Sequence, residues 1–413
     1  MMKVLINITP IRYPLTGIGY YTLNILQTLL ENDVDVIGFH PGRFIQKPEL
    51  REIVDNFVAS PLDAEDGVPD AETKNAVMSK KTLKRRIIEM IRFVPGTYRL
   101  RSAYFQYRIS SKLNELAGEG YVYFEPNYIP FKYSGPILTT VHDLSFVTYP
   151  EFHPKERVDY LKVNMVESIK NSSHIIVDSD FILEEMHKNF PESKGKTSTV
   201  HLAVSDAFKP QEKDSCDRVL NKFGLDYKGF TLSVATLEPR KNLKRLVSGF
   251  KMLPQEMRKK CPLVLVGDHG WMNADLMTEA KALVAAKEII ITGYLSDSDL
   301  KALYASAKVF AYPSLYEGFG LPVVEAMASG VAVITSGVGA TAEVSGDSAV
   351  HVDPYSEQSI CDALSQMITD DIAREEVAAK GLTRAATFKW KTTTEQVLDR
   401  LSKISKEASV KLN

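Results

Sequence analysis

The 413-residue sequence predicts an α/β protein built from two doubly wound domains. Three observations carry that expectation. Short apolar runs alternate with helical patterns, as in a parallel sheet covered on both faces. The alternation stops over residues 205–228, a polar stretch with Pro210 and many Asp and Lys, and then restarts. The length itself suits two domains at roughly 100–200 residues each. In open sheets ligands sit beyond the carboxyl ends of the strands, so the two domains are expected to face a common cleft.

In the first half, residues 4–8 read as a strand, followed by a helix over 19–30 with Tyr20, Leu23, Leu26, Gln27 and Leu30 at helical spacing. Residues 34–39, 121–125, 137–141 and 174–178 read as further strands, with a helix over 157–170 between the last two. After the polar linker, strands are expected at 230–234, 263–266, 289–291, 309–312, 331–334 and 350–352. Helices at 243–252, 275–285 and 297–305 separate the first of them, and 391–413 reads as a last helix.

Composition excludes several classes. With 44% hydrophobic and 25% charged residues the chain is of ordinary globular make-up. Fifty basic against fifty-two acidic side chains, a net charge of -2, argue against a general nucleic-acid binder. Cys216, Cys261 and Cys361 lie far apart, without metal-ligand spacing, and suit a reducing compartment. The N-terminal residues run straight into a strand, too short for a signal-peptide core. No window approaches the roughly 18 apolar residues of a membrane span.

The near-neutral total hides an asymmetry. Residues 74–112 hold eleven Lys and Arg and one acid, Glu89, a net +10 that leaves -12 for the remainder. Ile87, Ile88, Ile91, Phe93, Leu100, Tyr104, Phe105 and Tyr107 are interleaved with those charges. A basic helix with an apolar face suits an anionic membrane surface. The plainer alternative is a solvated helical insertion packed on the first domain. No nucleic-acid-binding module accompanies the patch.

Four constellations carry chemistry. Tyr316-Glu317-Gly318-Phe319-Gly320-Leu321-Pro322-Val323-Val324-Glu325 follows the strand 309–312. Pro322 suits a first helical turn, and Gly330 a C-terminal stop. Gly318 and Gly320 would let the backbone approach a ligand, and the helix start suits a phosphate. Glu325 is placed in the first turn and Glu317 in the loop before it, two carboxylates able to grip hydroxyls on either side of a diphosphate. Glu238-Pro239-Arg240-Lys241-Asn242 follows the strand 230–234, where a planar fork and a point charge together can neutralise a diphosphate. Thr16-Gly17-Ile18-Gly19 opens the first helix as a short glycine turn without the full dinucleotide fingerprint. His142-Asp143 directly follows the strand 137–141, at a ligand-facing edge. Taken singly, each has a structural alternative: a helix cap, a basic turn, a tight turn, a structural hydrogen bonder. The Asp-x-Asp pairs Asp33/Asp35 and Asp178/Asp180 are read as structural rather than metal-binding, with Asp180 capping a helix over 181–188.

Together these residues resemble the retaining glycosyltransferases of family 4, which have the GT-B fold of two Rossmann-like domains, and within them bacterial O-antigen mannosyl- and rhamnosyltransferases. Glu317 and Glu325 match the family's paired-glutamate motif, and Arg240-Lys241 its phosphate-binding segment. Val141-His142-Asp143-Leu144 is similar to the segment bearing its active-site histidine. Gly293-Tyr294-Leu295 matches the place where backbone meets the nucleobase, and Val266-Gly267-Asp268-His269-Gly270-Trp271 adds to the likeness.

The resemblance implies domains at 1–208 (acceptor-binding, with the basic insertion) and 209–390 (nucleotide-sugar-binding), with helix 391–413 crossing back to the first. It implies transfer of mannose or a deoxymannose from a GDP-sugar, with retention, to a hydroxyl of a lipid-linked oligosaccharide in O-antigen synthesis. Glu317, Arg240, Lys241 and His142 are its catalytic residues. Glu325, Gly17, Gly19, Gly318, Phe319, Gly320, Leu321, Gly267, Tyr294 and Leu295 are its donor-binding residues. No metal or other cofactor is expected. The expected place is the inner face of the plasma membrane, peripherally bound through residues 74–112, with assembly with other glycosyltransferases. A UDP-sugar donor, an inactive scaffold of the same fold and an NAD-dependent oxidoreductase are the alternatives. Intact Glu317, Glu325, Arg240 and Lys241 weigh against the second, and the missing fingerprint against the third.

Overall fold

The computed structural model describes residues 1–12, 15–40, 42–59, 97–236, 238–267 and 274–412. They form two compact units. The first comprises Met1–Thr139 and Phe146–His174 with the chain from Arg400 onward; the second comprises Thr140–Ser145 and Ile175–Asp399. Each is α/β, with a sheet of almost wholly parallel strands, as the alternation predicts.

The first sheet holds β1 (Met2–Asn7), β2 (Val34–His40), β3 (Arg43–Ile45), β4 (Val122–Glu125), β5 (Ile137–Val141), β6 (His174–Val177) and β7 (Thr197–Thr199). Its order is β3-β2-β1-β4-β5-β6-β7. Val4 pairs with Val36 on one side and Val122 on the other. Val4, Leu5 and Ile6 are fully buried, as a central strand covered on both faces requires. β3 is antiparallel, a short edge strand on β2 without a pattern of its own.

The second sheet holds β8 (Thr231–Val234), β9 (Leu263–Val266), β10 (Ile289–Gly293), β11 (Val309–Tyr312), β12 (Ala332–Ser336) and β13 (Val350–Val352). Its order, β10-β9-β8-β11-β12-β13, reverses direction between β8 and β11. Successive connections therefore leave those two strands on opposite faces, and their carboxyl ends flank a crevice.

Several expectations need correction. The linker read over 205–228 contains a helix, Lys213–Phe223, that buries Cys216, Val219 and Leu220. It is held to the helix Asp297–Ser306 by Arg218 and Lys222 on the buried Asp299. Its high charge is the solvated face of an amphipathic helix. The helix expected at 181–188 is Asp180–Asn189, and its cap is Ser179, whose Oγ accepts from the Ile182 amide. Asp180 instead accepts from Thr199 Oγ1 at 2.5 Å. Glu325 lies in the second turn of the helix Leu321–Ala328, not the first.

Of the basic stretch 74–112, residues 74–96 lie outside the described residues. The remainder belongs to the helix Thr97–Gly118. Ile109, Leu113 and Leu116 on that helix pack against Leu5, Phe39 and Tyr123 of the first sheet. Tyr104 and Tyr107, 56% and 84% exposed, face outward. Among the described residues no helix is long and apolar enough to cross a membrane. The last helix, Trp390–Leu412, starts in the second unit and continues in the first.

Candidate functional site

The crevice between β8 and β11 collects the loop residues 235–242 and 313–320, and with them three of the four residues expected to be catalytic. After β8 the chain makes one turn of 3-10 helix, Pro239–Lys241, which ends at Asn242 in the left-handed region with φ 60°. Asparagine tolerates that conformation. Its Nδ2 donates to the Pro313 carbonyl at 2.9 Å and the Pro354 carbonyl at 2.6 Å. The Arg240 carbonyl accepts from the Leu315 amide at 2.8 Å. The two loops are thereby pinned to each other.

Glu317 is the hub. Its Oε1 accepts from Lys241 Nζ at 2.6 Å, Ser314 Oγ at 2.7 Å and Tyr312 OH at 2.8 Å. Its Oε2 accepts from Arg240 Nη1 at 3.2 Å. Burial alone would raise this carboxyl, but the Lys241 and Arg240 charges with the Lys241 and Ser314 hydrogen bonds hold it at about 2. Glu317 is therefore an anion at any physiological pH. Burial presses the Lys241 ammonium below the ordinary lysine range, against the pull of Glu317. Lys241 spends two of its three donors on Glu317 and Tyr312, which leaves one for an incoming oxygen. Arg240 also reaches Glu238 through Nε at 3.0 Å.

Glu325 stands apart from this hub. Its Oε2 accepts from the buried Tyr304 hydroxyl at 2.8 Å. Burial outweighs that hydrogen bond, and nearby Asp297 adds to it, so the carboxyl is pushed up to about 7. The two glutamates of one motif thus differ widely in acidity, one matched by two cations and one by a neutral hydroxyl.

The histidine segment belongs to the same unit. His142 is buried, and its Nδ1 lies 2.8 Å from Asp178 Oδ2. A Cβ on Gly318 would collide with the His142 carbonyl oxygen and lie 2.9 Å from its carbon. Ser179 Oγ donates to the Gly318 carbonyl at 2.7 Å, and the Leu144 amide to Tyr316 OH at 2.9 Å.

Four glycines assigned to ligand approach turn out to have other close neighbours. Gly318 is packed against the His142 backbone, and Gly267 against Ala235, whose carbonyl carbon a Cβ would meet at 2.8 Å. Gly19 is closed by Leu15 and Pro10. Gly320, with φ 102°, sits against Thr341 and caps the helix Leu321–Ala328. Phe319 is buried between His201 and Phe388, and Leu321 opens the helix. These positions shape the loops; only their backbone groups remain for a ligand.

Gly17 is exposed and starts the helix Gly17–Glu31 of the first unit, which also carries Gly19. Tyr294, 61% exposed, follows β10, with Leu295 buried beside it. Asp268-His269-Gly270-Trp271 lie outside the described residues. Asp35 accepts from Tyr121 OH at 2.7 Å. Asp180, His201 and Glu343 bring their ligand atoms within 4.8 Å of one another. Both Glu343 oxygens, however, accept the Asp180 and Phe181 amides at the start of that helix.

Sequence reasoning missed Tyr312, Ser314 and Asp178. Tyr312 reads as a strand residue and Ser314 as loop filler. Asp178 was weighed only as half of an Asp-x-Asp pair.

Two parallel-sheet α/β domains of this design are the GT-B architecture. The solved structures of a glycosyltransferase involved in lipopolysaccharide biosynthesis, WaaG, and of sucrose-phosphate synthase from Thermosynechococcus elongatus each superpose with a TM-score of 0.66. Identity is 15% over 97% of this chain and 99% of the first, and 16% over 98% and 99% for the second. Residues 220–384 match the family model described as glycosyl transferases group 1. The O-antigen chain mannosyltransferase B of Escherichia coli is 34% identical over 401 residues, 96% of this chain and 99% of that protein. The chain belongs to the group 1 glycosyl transferases.

Proposed function

We propose that this glycosyltransferase moves mannose, or a deoxymannose, from a GDP-sugar to a hydroxyl of a lipid-linked glycan during O-antigen synthesis, with retention of configuration. The observation that carries the reading is the Lys241–Glu317–Arg240 cluster at the strand-order reversal of the second sheet. The sugar class rests on the Escherichia coli relative, which is named an O-antigen chain mannosyltransferase.

In this reading the departing diphosphate collects negative charge, and Arg240 with the remaining Lys241 donor stabilises it without a metal. Glu317, ionised and rigidly held, faces the positive charge that develops on the sugar. Glu325 and the backbone near Tyr294 hold the nucleoside, and His142 lies beside the sugar. No side chain in the cluster is a free nucleophile: Glu317 is tied to four donors. Front-face attack, with the leaving phosphate taking the acceptor proton, is the mechanism that fits.

The acceptor reading places the enzyme at the inner face of the plasma membrane, in company with other glycosyltransferases, anchored by residues 74–112 with Tyr104 and Tyr107 as outward-facing aromatics. The decisive experiment is a panel of nucleotide sugars tested for hydrolysis and thermal stabilisation, GDP-mannose first. Release of mannose from GDP-mannose alone supports the reading; no release from any donor and no binding of GDP or UDP overturns it. Reversing charge at Lys80, Lys81, Lys84, Arg85 and Arg86 should release the protein from anionic vesicles without loss of hydrolysis, and unchanged binding refutes the membrane contact.

A further inference from the structure

From the geometry around β6 we infer that Asp178 is a positioning residue for the transfer reaction: it holds His142 in the form protonated at Nδ1, so that Nε2 is the ring nitrogen that meets a substrate hydroxyl. The inference rests on the function proposed above.

The pair is built into the backbone on both sides. His142 immediately follows β5, and Asp178 immediately follows the neighbouring β6. Nδ1 and Oδ2 are 2.8 Å apart, with the Asp178 side chain almost wholly buried. Neither end can drift. The His142 carbonyl is wedged against Gly318, and Ser179, next to Asp178, donates to the Gly318 carbonyl. Gly318 adjoins Glu317, so the ring and the glutamate hub share one rigid support.

The proton is placed by elimination. Asp178 Oδ1 is buried and has no hydrogen-bond partner among the described residues. A proton there would be a buried donor with no acceptor, which costs more than leaving a carboxylate lone pair unused. Between Oδ2 and Nδ1 the imidazole nitrogen is the stronger base, so the shared proton rests on Nδ1 and the carboxylate accepts it through Oδ2. A neutral imidazole with Nδ1–H carries its lone pair on Nε2, and a hydroxyl oriented by that lone pair is held in one direction. A purely structural brace would need only the contact, not the tautomer.

The test separates these. In protein labelled with nitrogen-15 histidine, the His142 ring, identified by its loss in His142→Gln, is expected to show the Nδ1–H pattern. Asp178→Asn offers an amide that can donate to Nδ1 and should move the ring to the Nε2–H pattern. The same substitution should lower kcat with GDP-mannose on the order of 100-fold while changing KM little, the scale of losing one well-oriented contact. In a His142→Gln background it should cost nothing further, because its effect passes through the ring. An unshifted tautomer, a wild-type kcat, or a full further loss in the double variant overturns the inference. Should Asp178→Asn fold poorly, Asp178→Glu serves as the second variant: it keeps the acceptor and should retain the Nδ1–H pattern. If no nucleotide sugar is turned over, the functional reading fails, and the resonance pattern alone still decides the pairing.

Discussion

Lys241→Met is the substitution whose consequences the structure specifies most fully. Methionine keeps most of the volume and removes the charge and its donors. Glu317 then loses its 2.6 Å partner and keeps only Arg240 at 3.2 Å as a cation. The difference between an ordinary carboxyl at 4.5 and one held at about 2 corresponds to about 3 kcal/mol. Breaking a buried pair from one side costs about 3–5 kcal/mol in comparable cases. A loss of about 3–5 kcal/mol at pH 7 is therefore expected in urea unfolding.

The pH dependence carries the stronger test. With its main cation gone, burial should lift the Glu317 carboxyl above its unfolded value. A group raised in the folded state stabilises at low pH and loses that contribution as pH rises through the folded value. The deficit of the variant should therefore grow from pH 5 to pH 8. Adding Glu317→Gln to Lys241→Met should recover part of it, because the uncompensated charge is removed. A deficit that is the same at both pH values, or no recovery in the double variant, would refute the view that Lys241 balances Glu317.

Other outcomes follow from single features. In the parent protein, Glu317, held at about 2, contributes stability above pH 4.5 that is lost as pH falls toward 2. Glu125 is raised by burial to about 7 despite its bonds to Tyr123, Asn7 and the Asn127 amide. It should erode stability as pH rises from about 5 through 7, by about 2–3 kcal/mol, so stability by chemical denaturation should peak between these windows; a flat profile would argue against both. Gly318→Ala should cost at least about 3 kcal/mol, since the obstacle is the His142 backbone, whereas Gly293→Ala, with φ 71° and open space around its Cβ, should cost only about 1 kcal/mol. Equal midpoints for these two variants would contradict the packing described. Tyr304→Phe removes the hydroxyl that Glu325 accepts from, and GDP affinity measured by calorimetry should fall about fivefold. Unchanged affinity would detach Glu325 from the nucleoside.

Much of the molecule is legible without coordinates because its signals are local. A parallel strand buried on both faces must be a short apolar run, and residues 137–141, 263–266, 309–312 and 350–352 coincide with observed strands at both ends. Pro322 and Gly330 bracket their helix for equally local reasons: a missing amide at its start and a φ of 71° past its end. Where an element owes its place to neighbours, the pattern fails. The short strands Arg43–Ile45 and Thr197–Thr199 exist because an edge accepts them, and the helix Lys213–Phe223 hides one apolar stripe inside a charged segment.

The candidate site divides along the same line. Sequence by itself determined which loops are candidates for the chemistry, because Arg240, Lys241, Glu317 and His142 follow strands at positions where an open sheet presents ligands. Only the tertiary structure decided what each charge does. It joined Lys241 and Arg240 to Glu317 across 76 and 77 residues of sequence, and left Glu325 with a tyrosine. It gave His142 its carboxylate from 36 residues away and turned Gly318 into a seat for the histidine backbone. Acidity, proton position and steric fit depend on what lies within a few ångströms, and in a doubly wound sheet those neighbours come from strands far apart in the chain.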